Sequence, residues 1–159
     1  MKMINPFYKI ILGLGLISHQ ACTQTEKLTM YKDDKFTLEY PSIWKMTNEN
    51  GILNFMPNEN YGAVTVSRES GIDFPLEKTR EFVLEMNEIK DNPENVKMTN
   101  NDGIAKFYYE HFDNNLKWVT IAFRKNSDFY LITINCKTDM WEANKATFFQ
   151  VTDSFHIKN

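Results

Sequence analysis

The stretch that decides the fold is residues 104 to 137, "IAKFYYEHFDNNLKWVTIAFRKNSDFYLITINCK". Three runs rich in β-branched and aromatic residues are separated by "DNN" and "NSD", which are turn residues. These connections are too short for crossovers, so the runs predict an antiparallel meander. In the middle run Val119, Ile121 and Phe123 alternate with Trp118 and Ala122, so both faces are apolar. Strands apolar on both sides are usually covered on both sides.

Upstream, "LTMYK" and "FTLEY" predict two strands around an Asp33-Asp34 turn, with Phe36, Leu38 and Tyr40 alternating onto one face. Pro41 stops that ladder. "NENG" (48 to 51) turns the chain into "ILNFM", and "AVTVSR" is a further alternating strand. Pro75 then opens a helix whose apolar stripe is Leu76, Thr79, Phe82, Val83, Met86 and Ile89, with Asp73 as its expected cap. "NVKMT" returns the chain to strand ahead of the meander. A final helix is expected from Asp139, with Glu142 in capping-box spacing and Trp141, Phe148, Val151 and Phe155 on one side. These elements predict an α+β domain, an α/β/α sandwich whose mainly antiparallel sheet is flanked by helices.

Length and composition suit one such domain. The 159 residues are 42% hydrophobic and 14% aromatic, values of a packed globular chain. No repeat, low-complexity tract or long linker divides it. The formal charge is −3, and it becomes −5 once residues 1 to 21, which carry Lys2 and Lys9 and no acid, are set aside. A mildly acidic domain is poorly suited to nucleic acid, where affinity rests on clustered cations.

Those first residues read as an export signal: a charged start, an apolar run Ile10 to Ile17, then a polar break before Ala21 and Cys22. Eight residues of helix span about 12 Å against a hydrocarbon core of about 30 Å, so the run cannot cross a membrane. Ala21-Cys22 resembles the end of a bacterial lipobox, with His19 departing from it where an aliphatic residue is usual. The segments expected are a signal peptide over 1–21, a tether over 22–27 and a domain over 28–159. That resemblance makes Cys22 the expected lipid attachment; one acyl chain would hold the protein only marginally, and two or more hold it stably. Cys136 is then unpaired, and its strand-like setting suits a small buried hydrophobe.

"FTLEYPSIWKM" resembles the opening of the PsbP-like superfamily, where a strand ends in Tyr-Pro followed shortly by Trp. Tyr40-Pro41 with Trp44, the helix after the first strands, the meander with "FYLITINC" and a last helix closing on Ser154-Phe155 occur in the same order. The resemblance spans about residues 28 to 157 and rests on packing residues. It implies an α/β/α sandwich of the kind found in the photosystem II subunit PsbP and in DcrB-type bacterial lipoproteins. It also implies a non-enzymatic role in protein binding or assembly, immunity and chaperone lipoproteins included. The metal-binding residues of the plant protein have no counterpart here, so neither metal nor cofactor is expected.

No nucleophile elbow, zinc-protease helix, Cys-x-x-Cys pair, phosphate loop or dinucleotide fingerprint is present. The contact surface expected is the aromatic hairpin: Tyr108, Tyr109, His111, Phe112 and Trp118, which serve as core if a helix covers them and as a binding patch if none does. Trp44 is expected to plug the sheet against a helix. Glu77, Glu81, Glu85 and Glu88 are expected to form a solvated helix face. Two functions fit: a membrane-anchored lipoprotein that binds a protein partner, or a carrier of small molecules with an aromatic-lined pocket.

Overall fold

The computed structural model describes residues 27–88, 96–101 and 103–158. The signal, Cys22, Ile89 and Lys90 therefore lie outside the described residues. Among the described residues ten strands and two α-helices follow one another as β1 (Leu28–Lys32), β2 (Phe36–Pro41), β3 (Lys45–Glu49), β4 (Ile52–Met56), β5 (Gly62–Glu69), α1 (Thr79–Met86), β6 (Lys97–Asn101), β7 (Ile104–Asp113), β8 (Leu116–Lys125), β9 (Asp128–Lys137), α2 (Thr138–Asp153) and β10 (His156–Ile157). A seven-stranded sheet runs β3-β4-β5-β9-β8-β7-β6, and a small sheet runs β1-β2-β10. Every pairing is antiparallel.

Turn chemistry sets this arrangement. Asn50 (φ 54°) with Gly51 (φ 84°), and Asn114 (φ 47°) with Asn115 (φ 65°), supply the paired left-handed conformations that two-residue hairpins need. Asp33 closes the β1–β2 turn by accepting the Lys35 and Phe36 amides on Oδ1 at 2.7 and 2.9 Å.

The middle of one face of the large sheet is covered by α2 and the small sheet. Phe148 and Val151 of α2 and Phe36 and Leu38 of β2 are buried against Val64, Ile132 and Ile134. Burying each such side chain contributes about 1.5–3 kcal/mol. Phe155, just past α2, packs its ring 5.0 to 5.5 Å from Phe36, Phe123 and Tyr130. The other face carries α1, whose Val83 is buried on Phe107, Ala122 and Phe129. Helices thus flank the sheet on both sides, but unequally.

Both expected caps are absent. A short 3-10 turn, Leu76–Lys78, precedes α1, and Pro75 stands at its start with no side-chain cap. Asp73 is exposed, because the preceding loop is fastened instead by Arg124, which donates to the Ile72 and Phe74 carbonyls at 3.0 and 3.2 Å. The α2 start has no side-chain cap either, and Glu142 pairs with Lys145 rather than reaching back. Met86 is 43% exposed, since its place on the helix lies about 60° off Val83. β3 was not apparent in the sequence: "KMTNE" is exposed or half-exposed throughout and has no alternation.

Candidate interaction surfaces

The Asn114-Asn115 turn pairs Asp113 with Leu116, which places His111 opposite Trp118 and Tyr109 opposite Thr120. Side chains alternate across a strand, so the five hairpin residues divide between two faces. Tyr109, His111 and Trp118 share the α1 face. Their rings stack in sequence, Tyr109 to His111 at 5.1 Å and 10°, His111 to Trp118 at 6.2 Å and 9°. All three are half-buried. His111 Nδ1 and Trp118 Nε1 are buried without a hydrogen-bond partner. Burial holds the imidazole below its ordinary 6.5; Asp113 opposes this and the Lys117 charge adds to it. The ring is therefore neutral at pH 7.

Tyr108 and Phe112 lie on the α2 face with Lys117. The Lys117 ammonium is buried and pairs with Glu110, which also accepts the Tyr108 hydroxyl. Burial alone would raise the Glu110 carboxyl, but hydrogen bonds from Lys117 and Tyr108, with the charges of Lys117 and Lys97, hold it below the ordinary 4.5. Burial and the Glu110 hydrogen bond push the Tyr108 hydroxyl well above 10.0. Lys117 Nζ also sits 4.3 Å from the Phe112 ring centre and 5.8 Å from that of Trp141. Phe112 itself is 66% exposed at the tip.

How much of the α1 face is covered follows from dimensions. An eight-residue helix is about 12 Å long. Seven strands span about 29 Å. α1 packs on β7 and leaves β3, β4 and β5 without an overlying described helix. Across this region the register aligns Thr47, Asn54, Thr65, Thr133, Thr120 and Tyr109 in one row. The row is uncharged and rich in hydroxyls, and Thr65 Oγ1 donates to Asn54 Oδ1 at 2.8 Å. It ends on the aromatic stack.

Trp44 is buried 5.5 Å from Phe148, a plug between sheet and α2. Glu77, Glu81, Glu85 and Glu88 are exposed, and Lys78 pairs with Glu81 at 2.7 Å. Cys136 is fully buried on the α2 face, its thiol pushed up to about 11 by burial and by Asp139. The sheet separates it from His111. Among the described residues no three metal-ligating side chains cluster, and no described helix is long and apolar enough to cross a membrane. A cleft of about 730 Å³ lies between the β7–β8 turn and the start of α2 (Asn114, Leu116, Lys137, Thr138, Asp139). Another of about 250 Å³ lies at the β1–β2 turn beside Arg68. The space between sheet and α2 is filled by side chains.

The fold matches solved structures. The chain resembles cyanobacterial PsbP (CyanoP) from Synechocystis sp. PCC 6803, solved in solution, with a TM-score of 0.62 and 17% identity over 91% of this chain and 100% of that one. The fold is PsbP-like. A crystal structure from Bacteroides thetaiotaomicron VPI-5482 also matches, with a TM-score of 0.50 and 13% identity over 84% of this chain, which spans about half (49%) of that longer protein. At these identities the likeness establishes the fold alone. No protein-family model matches the chain, and no curated protein does.

Proposed function

We propose that the chain is an exported lipoprotein, cleaved before Cys22 and acylated there, whose domain binds another protein without catalysing a reaction. The observation that carries this reading is the open part of the α1 face, where the Tyr109–His111–Trp118 stack adjoins the uncharged Thr47–Tyr109 row. Ordered aromatic rings lose little conformational freedom on binding, and the half-buried hydroxyl and amide groups of the row beside them offer hydrogen bonds to a protein surface. The PsbP-like fold adds the company of proteins that act by assembly. A carrier of small molecules is less well supported, since the space between sheet and α2 is occupied.

The test is native mass spectrometry on the protein gently extracted from its own membranes, beside a Tyr109→Ala, Trp118→Ala double variant. The expected spectrum shows an acylated Cys22 and a bound polypeptide, with the polypeptide lost from the folded double variant. Full retention of the partner by that variant would remove the α1 face from consideration. A small ligand in place of a polypeptide would select the carrier. The anchor has its own control: Cys22→Ala should leave the membrane fraction, and a variant that stays there contradicts the acylation.

A further inference from the structure

Resting on that proposed anchor, we infer that the end of the domain bearing Ile43 and Phe112 seats in the same lipid surface that holds the Cys22 acyl chains. The length of chain leading out of the described residues carries the argument. Five peptide steps separate Cys22 from Lys27, and at about 3.6 Å each they reach at most about 18 Å. An anchored domain must therefore present its Lys27 end to the membrane.

Lys27 is fixed at one end of the fold. Its carbonyl accepts the Ser42 amide at 2.8 Å, so the chain enters beside the β2–β3 loop. In that loop Ile43 is 59% exposed. Next to it Trp44 turns inward, 5.5 Å from Phe148, which lies 6.4 Å from Trp141. Trp141 in turn overlies Lys117, which supports Phe112 from below. The register sets one end of the large sheet at Gly62, Cys136, Lys117 and Phe112, which pair in succession. Trp44 precedes the Lys45–Met56 pair at that same end, so Ile43 and Phe112 share it. They are the two most exposed large apolar side chains among the described residues. Neither is loose: Trp44 anchors one loop, and the buried Lys117–Glu110 pair stiffens the other.

Charge decides what kind of lipid surface fits. Lys27, Lys45 and Lys137 are exposed at this end, and so are Asp113 and Asp139. The signs nearly cancel, so the seat is apolar, with lysine stems lying along the interface and their ammonium groups in water. A neutral phosphatidylcholine surface should serve as well as an anionic one. The domain would then stand with its strands rising from the membrane, leaving the open α1 face accessible from the side.

The experiment uses the full lipoprotein in phosphatidylcholine vesicles, carrying one environment-sensitive thiol label at Ser42→Cys, at Asp113→Cys or at Ser127→Cys. Cys136 is buried and stays unlabelled. Ser127 lies in the β8–β9 turn, about 30 Å away along the ten residues of β8. Quenching by an aqueous quencher should be several-fold weaker at positions 42 and 113 than at 127, and an Ile43→Ser, Phe112→Ser background should abolish that difference. Adding anionic lipid should change little. Equal quenching at all three sites, on protein whose mass shows the acylated Cys22, would overturn the seat and leave the anchor standing. A mature mass without acyl chains would overturn both.

Discussion

Gly62 is the position where one added carbon should cost most. It pairs with Cys136 across β5 and β9. A Cβ built there would lie 2.3 Å from the Asn135 carbonyl oxygen, 2.9 Å from Phe148 Cζ and 3.0 Å from Cys136 Cα. Two of those atoms are backbone of the adjacent strand, which cannot retreat without breaking the ladder, and the third belongs to the ring at the centre of the core. Overpacking of this kind costs about 1–3 kcal/mol, and backbone opposition puts Gly62→Ala at the upper end. The loss of unfolded-state freedom returns about 0.4–1 kcal/mol. A net destabilisation of about 2 kcal/mol remains, which for a domain of this size is a fall in Tm of about 8 °C. Urea unfolding followed by tryptophan fluorescence should show the midpoint lowered by about 1 M with the slope unchanged. A midpoint within about 0.2 M of the parent would mean that β5 can shift away from β9, and the account of a rigid pairing there would be wrong.

Three further predictions concern the packing and the buried groups. Phe148→Ala should cost about 3–5 kcal/mol, whereas Phe112→Ala should cost under about 1 kcal/mol; equal losses in parallel melts would contradict the assigned core. Lys117→Met leaves Glu110 half-buried without its cation and should cost about 3 kcal/mol at pH 7. Because the folded Glu110 carboxyl lies below its ordinary 4.5, its contribution is present above pH 4.5 and lost as pH falls through the lower folded value. The variant's stability should therefore fall less steeply on acidification than the parent's; parallel acid limbs would refute the pairing. Cys136, buried and with its thiol pushed up to about 11, should react with a thiol reagent only as the protein unfolds in urea. Stoichiometric reaction in buffer would place it at the surface.

Much of this fold was legible because its hairpins announce themselves. Asn-Gly at 50–51 and Asn-Asn at 114–115 fix two-residue turns, and alternation such as "AVTVSR" assigns faces without further help. The aromatic hairpin was misread as one surface: the register sets His111 against Trp118, and strand parity then puts Tyr108 and Phe112 on the opposite face from Tyr109, His111 and Trp118. What could not be read were features decided by distant partners. β3 has no internal signal and exists because β4 offers it a ladder. Asp73 and Asp139 look like caps locally, yet Arg124 holds the first loop from fifty residues away. The Lys117–Glu110–Tyr108 cluster required a register before three polar residues on two strands could be seen to meet beneath Phe112.

The register of the small sheet sets how the molecule bears tension. β1 runs antiparallel to β2 with five consecutive pairs, from Leu28 opposite Pro41 to Lys32 opposite Thr37. Force applied at Leu28 along the strand loads these rungs in parallel, as shear, rather than peeling them one at a time. β2 is in turn clamped on its far side by β10, and Ser154 Oγ accepts the Glu39 amide at 2.8 Å. A pull on the amino-terminal end is thereby shared with the carboxyl-terminal one, and the strand joining them is the middle of the sheet.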